Sequence, residues 1–161
     1  NVGSVTSMGT MFRSTAFNRD IGGWDVGNVT SMANMFEQNA VFNQDISRWN
    51  VGKVTDMRSM FLGNAVFDQD ISRWNVSRVA NLGGFLQNGA LSTEHYNALL
   101  IRWSRRSLQS GVAFHGGASK CDLGLPDEGR AYIRGNFGWT ITDGGTTGQW
   151  YAGEPTGIVV R

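Results

Sequence analysis

Cysteine and proline are nearly missing from this 161-residue sequence. Cys121 is the only cysteine, which excludes an internal disulfide and a cysteine-built zinc site but leaves the redox compartment open. Two prolines stand against 22 glycines, so the chain turns often without proline punctuation, as a repeat with a corner in every unit would. Charge of one sign is also lacking. A net charge of +1 gives no field that would gather nucleic acid or an anionic membrane. No apolar run approaches the roughly 20 residues of a bilayer span. Asn1 takes the place of an initiator Met, so an excised or processed segment of a longer protein is expected.

What the sequence does have is a period. Residues 49–73 read WNVGKVTDMRSMFLGNAVFDQDISR, and residues 24–48 read WDVGNVTSMANMFEQNAVFNQDISR. Residues 74–91 begin a third copy, WNVSRVANLGGFLQNGAL, before departing from it. The 25-residue spacing lies within the roughly 20–29 residues of leucine-rich-repeat solenoids. Aligned, the units give apolar columns: Val26/Val51/Val76, Val29/Val54/Val79, Met32/Met57/Leu82, Met35/Met60/Phe85, Phe36/Phe61/Leu86, Phe17/Phe42/Phe67, Ile21/Ile46/Ile71 and Trp24/Trp49/Trp74. An earlier unit contributes Val2, Val5, Met8, Met11 and Phe12, one residue short before Phe17, which places a corner there.

The predicted fold class is α/β. A right-handed leucine-rich-repeat-like solenoid over residues 1–88, about three and a half units, is closed by an α/β C-terminal cap over residues 89–145. Within each unit, Trp49-Asn50-Val51 predicts a short parallel strand, with copies about 4.8 Å apart. Val54, Met57, Met60 and Phe61 recur at helical spacing, which predicts a short helix or 3-10 turn capped by Thr55, as by Thr6 and Thr30. No single unit can bury both of its apolar sides, so neighbours must cover them. In the cap, a helix is expected over 92–108 with Tyr96, Leu99, Leu100 and Trp103 inward. A strand is expected at 112–114, a helix from Pro126 to Arg134 stopped by Gly135, and a strand at 139–141. Residues 146–161 read as a tail or linker, with an edge strand as the alternative.

The pattern W-[DN]-V-x-x-V-T-x-M-x-x-M-F…F-N-x-D-I-S-x-W resembles the BspA-like leucine-rich-repeat surface proteins, the mycoplasma-lipoprotein-type repeat. The segments LSTEHYNALLIRW, GVAFHGG and GWTITDGG resemble the portion that follows those repeats. The resemblance covers about residues 1–145. It implies a secreted or surface-displayed, commonly bacterial protein that mediates adhesion or protein binding and carries no catalytic residues.

Several residues are candidate sites. Asp20, Asp45 and Asp70, each two positions after Asn18, Asn43 or Asp68, read either as oxygen ligands for a metal such as Ca²⁺ or as Asx turns. Turns are the simpler account, because one carboxylate per unit falls short of the 6–8 oxygens that Ca²⁺ takes. The Trp column reads as core before a sugar platform, and the Thr column as capping before an ice-binding ladder. Arg48, Asn50, Lys53, Arg73, Asn75 and Arg78 form the candidate solvent-facing strip, suited to an acidic or polar partner, against the reading of a merely solvated face. His95, His115 and Cys121 lack the orienting group and oxyanion donors of a nucleophile pair. Gly116 to Lys120 lack phosphate-loop spacing. Asn28-Val29-Thr30 and Asn75-Val76-Ser77 match the glycosylation acceptor pattern and are incidental in a bacterial chain.

No enzyme activity and no cofactor are therefore expected. The expected role is a non-catalytic, extracellular or cell-surface module that binds a protein or glycan. The alternative is a structural spacer or assembly subunit with no ligand of its own, and self-association through an open N-terminal unit is also expected.

Overall fold

Backbone N–H groups two residues apart decide how the units meet. In the computed structural model, which describes residues 2–153, Met32, Asn34, Phe36 and Gln38 donate to the carbonyls of Asp56, Arg58, Met60 and Leu62 at 2.7–2.9 Å. Met57, Ser59, Phe61 and Gly63 donate in the same way to Asn81, Gly83, Phe85 and Gln87, and Met8, Thr10, Phe12 and Ser14 to Ser31, Ala33, Met35 and Glu37. The intervening peptide groups close local turns, as in Met35 N–H to Met32 O at 3.2 Å and Asn39 N–H to Phe36 O at 3.1 Å.

This arrangement corrects the expected helix. Asn34, Gln38 and Ser59 have φ of 60°, 57° and 52°, and Gly63 and Gly84 continue the same two columns at 73° and 67°. A left-handed residue twice per unit cannot sit in a right-handed helix. The segment is a run of turns whose every second N–H is released to the next unit. The Thr column is corrected as well. Thr30 and Thr55 cap nothing: each donates both its N–H and its hydroxyl to the Thr carbonyl one unit back, at 2.8 and 3.1 Å for Thr30 and 2.9 and 3.3 Å for Thr55.

The parallel pairing also lies elsewhere than expected. Trp49-Asn50-Val51 forms no strand and leads into a turn at Gly52-Lys53, where Asn50 Oδ1 accepts the Gly52 N–H and the Val54 N–H returns to Val51. Parallel bridges form at Ser7–Ser31–Asp56–Asn81 and then pass from Leu82 to Phe114.

The core follows the columns. Phe36 and Phe42 stack at 3.8 Å between ring centroids, as do Phe61 and Phe67, and Phe36 lies 5.6 Å from Phe61. Trp49 and Trp74 are stacked at 6.5 Å and buried, each giving its indole N–H to the carbonyl of Ile21 or Ile46 at 3.1 Å. At Phe85 the ring turns edge-on to Phe61, and the aromatic contacts continue through Phe114 to Trp103 and Trp139.

Two buried residues not singled out from the sequence hold the corners. Asn39 and Asn64 have no exposed surface. Asn64 Oδ1 accepts from the N–H groups of Val66 and Phe67, and its Nδ2 donates to Phe42 O one unit back at 3.0 Å. Asn39 does the same with Val41, Phe42 and Phe17 O. Each supplies turn geometry and a tie between units from one side chain.

In the cap, helix α1 spans Thr93–Trp103 with Ser92 as its N-cap, five residues shorter at its end than expected. Strand β1, Ala113–His115, pairs in parallel with β3, Thr140–Thr142, extending the ladder that reaches Leu82. Strand β2, Cys121–Leu123, pairs in parallel with β4, Thr146–Trp150. The first part of the expected tail is thus folded into the cap, and residues 154–161 lie outside the described part. Helix α2, Leu125–Phe137, runs past Gly135 to Gly138, whose φ of 65° makes it the left-handed C-cap. Buried Asn97 clamps α1 to β2 through Asp122.

Candidate functional site

Each of two successive units delivers an Asp and, three residues later, an Arg to the same flank: Asp45 with Arg48, and Asp70 with Arg73. The first unit offers Asp20 with Gly23 instead. Asp20, Asp45 and Asp70 each accept, through Oδ1, the N–H two residues on at 2.9 Å. The carbonyl just after Asp20 or Asp45 is held by the indole of the next unit's Trp. The loop is therefore fixed from the solvent side by an Asx turn and from the core side by Trp.

Two open depressions of about 380 and 630 Å³ lie along this flank and share Asp45 and Arg48. The first is lined further by Asp20, Gly22, Gly23 and Gln44, the second by Ser47, Gln69, Asp70, Arg73 and His95. Together they make a groove that runs across three units and ends at α1. Its lining is polar and mixed in sign, with Arg48 and Arg73 exposed. Hydrogen bonds from the Ser47 hydroxyl and N–H, helped by Arg48, outweigh burial and hold the Asp45 carboxyl below its ordinary value.

An amide ladder supports the groove. Asn18 Oδ1 accepts from Asn43 N–H at 3.0 Å and from Gln44 Nε2 at 2.9 Å, and Asn43 Oδ1 accepts from Asp68 N–H and Gln69 Nε2 at 2.9 and 2.8 Å. The third member is a carboxylate. Asp68 Oδ1 meets the Ser92 N–H and His95 Nδ1, both at 2.8 Å. Burial alone would raise the Asp68 carboxyl, but the bonds from Ser92 and His95 and the charge of His95 bring it below its ordinary value.

The sequence-derived strip is divided by the structure. Arg48 and Arg73 line the groove. Asn50, Lys53, Asn75 and Arg78 line neither depression. Asn50 and Asn75 spend Oδ1 on the N–H groups of Gly52 and Ser77, and Lys53 Nζ donates to Asn28 Oδ1 at 2.7 Å. Their column is one of local turns, because Asn two residues before Gly or Ser folds back on its own backbone. Asp20, Asp45 and Asp70, the candidate metal ligands, are turn formers on the groove wall. Among the described residues, no group of three or more His, Cys, Asp or Glu is placed to hold a metal ion. The polar groove residues that sequence reasoning did not place there are Gln44, Ser47, Gln69 and His95. The two glutamines recur at a spacing of 25, which was the available signal; His95 had none.

In the cap, Asp143 accepts from Tyr96 Oη at 2.7 Å and pairs with Arg130 at 3.0 Å, and Arg130 also holds Asp127 at 2.6 Å. Cys121 is fully buried, and its thiol is pushed up to about 11 by that burial, against the opposing pull of Arg130. His115 Nδ1 accepts the Gly117 N–H at 3.2 Å.

These features define a mixed α/β protein of hydrogen-bonded 24- and 25-residue units with a polar groove along one flank. Residues 1–103, which include α1, match the model of the family described as "Mycoplasma protein of unknown function, DUF285", and the chain belongs to that family. No curated protein and no solved structure matches it.

Proposed function

We propose that the chain is a right-handed leucine-rich-repeat-like solenoid of BspA-like kind, serving as a non-catalytic recognition module outside the cell or on its surface. The partner is a protein or glycan, taken up in the groove of Asp20, Asp45, Asp70, Arg48, Arg73 and His95. The observation that carries this reading is the Asp and Arg pair repeated in two successive units, on an open groove that spans three, with the carbonyls after Asp20 and Asp45 fixed by Trp indoles. A rigid polar row of this kind spends little ordering entropy on binding. The buried thiol of Cys121, pushed well above neutral pH, supports the non-catalytic reading.

A glycan and protein array screen of the chain tests it. The expected result is a partner whose binding weakens at least about tenfold in the Arg48→Ala/Arg73→Ala variant, the size that loss of charged contacts commonly produces. Binding confined to the ends of the stack would support the structural spacer instead.

A further inference from the structure

Neighbouring units do not keep one spacing across the stack. Phe36 and Phe61 lie 5.6 Å apart between ring centroids, but Phe42 and Phe67 lie 6.3 Å apart, and Trp49 and Trp74 6.5 Å. Gln44 to Arg48 and Gln69 to Arg73 run between those last two columns. The groove residues of successive units therefore recur at an interval of 6.3–6.5 Å. An extended polypeptide rises about 3.2–3.4 Å per residue, so every second residue returns after roughly 6.4–6.8 Å. Its alternate N–H groups point to one side and its alternate side chains to one face, both at that interval.

The groups that recur in the groove are complementary to such a chain. Asn18 Oδ1 and Asn43 Oδ1 each accept a backbone N–H, so the Gln44 and Gln69 atoms facing them are the donor nitrogens. Each glutamine amide is held by Nε2, and among the described residues no donor reaches Oε1 of either. Arg48 and Arg73 are exposed, and neither guanidinium forms an ion pair or hydrogen bond among the described residues. Asp20, Asp45 and Asp70 spend Oδ1 on the turn N–H groups. Their charge keeps the groove from being uniformly positive, so acid is favoured only opposite the two guanidiniums.

We propose that the groove takes an extended peptide segment laid along the stack, with acidic side chains at alternate positions. The N–H groups of two residues two positions apart donate to Oε1 of Gln44 and Gln69. The carboxylates of the same two residues meet Arg48 and Arg73. The charge-assisted pairs are the stronger contacts, and the amide row sets the register. A helical segment does not fit, because its N–H groups are spent on its own carbonyls. A linear acidic sugar can meet the arginines but has no row of backbone N–H groups for the two glutamines. The proposal rests on the groove reading given above and narrows its partner to one class.

Fluorescence polarisation of short, labelled, end-blocked peptides on the full chain tests it. One peptide carries glutamates at its third and fifth positions among threonine and valine, and an isomer carries them at its third and fourth. A further form of the first is N-methylated at both glutamates, and a linear oligouronate is the sugar probe. The alternating peptide is expected to bind with a Kd below about 1 mM. It is expected to bind at least about tenfold tighter than the isomer or the N-methylated form, and to lose at least about tenfold in Arg48→Ala/Arg73→Ala. In Gln44→Leu/Gln69→Leu the plain and N-methylated peptides are expected to bind alike, because that variant lacks the acceptors. The N-methyl comparison on the unaltered chain stands whether or not that variant folds. Equal binding of the isomers, no cost of N-methylation, a cost that persists in Gln44→Leu/Gln69→Leu, or no binding at that concentration overturns the proposal. If the oligouronate then binds through the two arginines, the groove reading survives without it. Peptide binding indifferent to both arginines overturns the two together.

Discussion

Asp68 and His95 join the repeat stack to the cap, with Oδ1 and Nδ1 2.8 Å apart. Asp68 replaces the Asn that Asn18 and Asn43 supply in earlier units, and it receives the first N–H of the α1 cap from Ser92. The carboxylate allows one column to end on a helix start and an imidazole.

This pair makes cap attachment sensitive to acid. The folded carboxyl of Asp68 titrates below its ordinary value near 3.8, so its contribution is complete above that value and is lost as pH falls through the lower, folded one. With its side chain 39% exposed, the effect is small. Urea midpoints measured against pH are expected to fall less steeply below the ordinary Asp range in Asp68→Asn than in the parent.

Asn64→Ala is expected to cost about 3 kcal/mol, because it leaves the buried Phe67 N–H and Phe42 carbonyl, and the part-buried Val66 N–H, without their side-chain partner. Asn50→Ala, at an exposed turn, is expected to cost under about 1 kcal/mol. Urea denaturation of the two variants reads the difference.

Left-handed residues give a substitution that stabilises. Ser59 has φ of 52°, and Gly84 fills the same column one unit later. Ser59→Gly is expected to gain about 0.5–1 kcal/mol by relieving the side-chain clash of that conformation. Gly84→Ala, with φ of 67° and a Cβ 2.9 Å from Ser59 Oγ, is expected to lose about 1–2 kcal/mol. Thermal and urea melts check both signs.

The groove reading separates arginines that look alike in the sequence. Arg48→Ala and Arg73→Ala are expected to weaken partner binding with stability unchanged, and Lys53→Ala and Arg78→Ala to leave binding as it is. Titration calorimetry with a partner found on the arrays decides this. Equal losses at all four positions would return the site to the broader strip.

Cys121 is expected to react with a thiol reagent at pH 8 only as fast as the cap opens, since it is buried and its thiol lies near 11. Absorbance on reaction with an aromatic disulfide, with and without denaturant, checks it.

The apolar columns were legible because burial on both sides of a unit forces one residue type into one phase every 25 residues. The backbone between them was not. Val54, Met57, Met60 and Phe61 have helical spacing, yet Ser59 and Gly63 sit at positive φ, and spacing alone carries no sign of handedness. Asn39 and Asn64 carried no mark in the sequence, because a buried amide at a corner is written like an exposed one. The groove was half legible: Arg48 and Arg73 were in view, but Asn50 and Asn75 shared their period while turning onto their own backbone. Strand β2 is only three residues, too short for the alternation of Cys-Asp-Leu to mark it, and β4 is largely polar.

Amide hydrogen exchange of the second and third units tests the central claim, that alternate N–H groups tie each unit to the next. Met32, Asn34, Phe36, Gln38, Met57, Ser59, Phe61 and Gly63 are expected to exchange slowly as one set, including Gln38, whose side chain lies in solvent. Rapid exchange at Asn34, Gln38 and Ser59 beside slow exchange at their neighbours would mean that no such ladder ties the units, and would contradict the account.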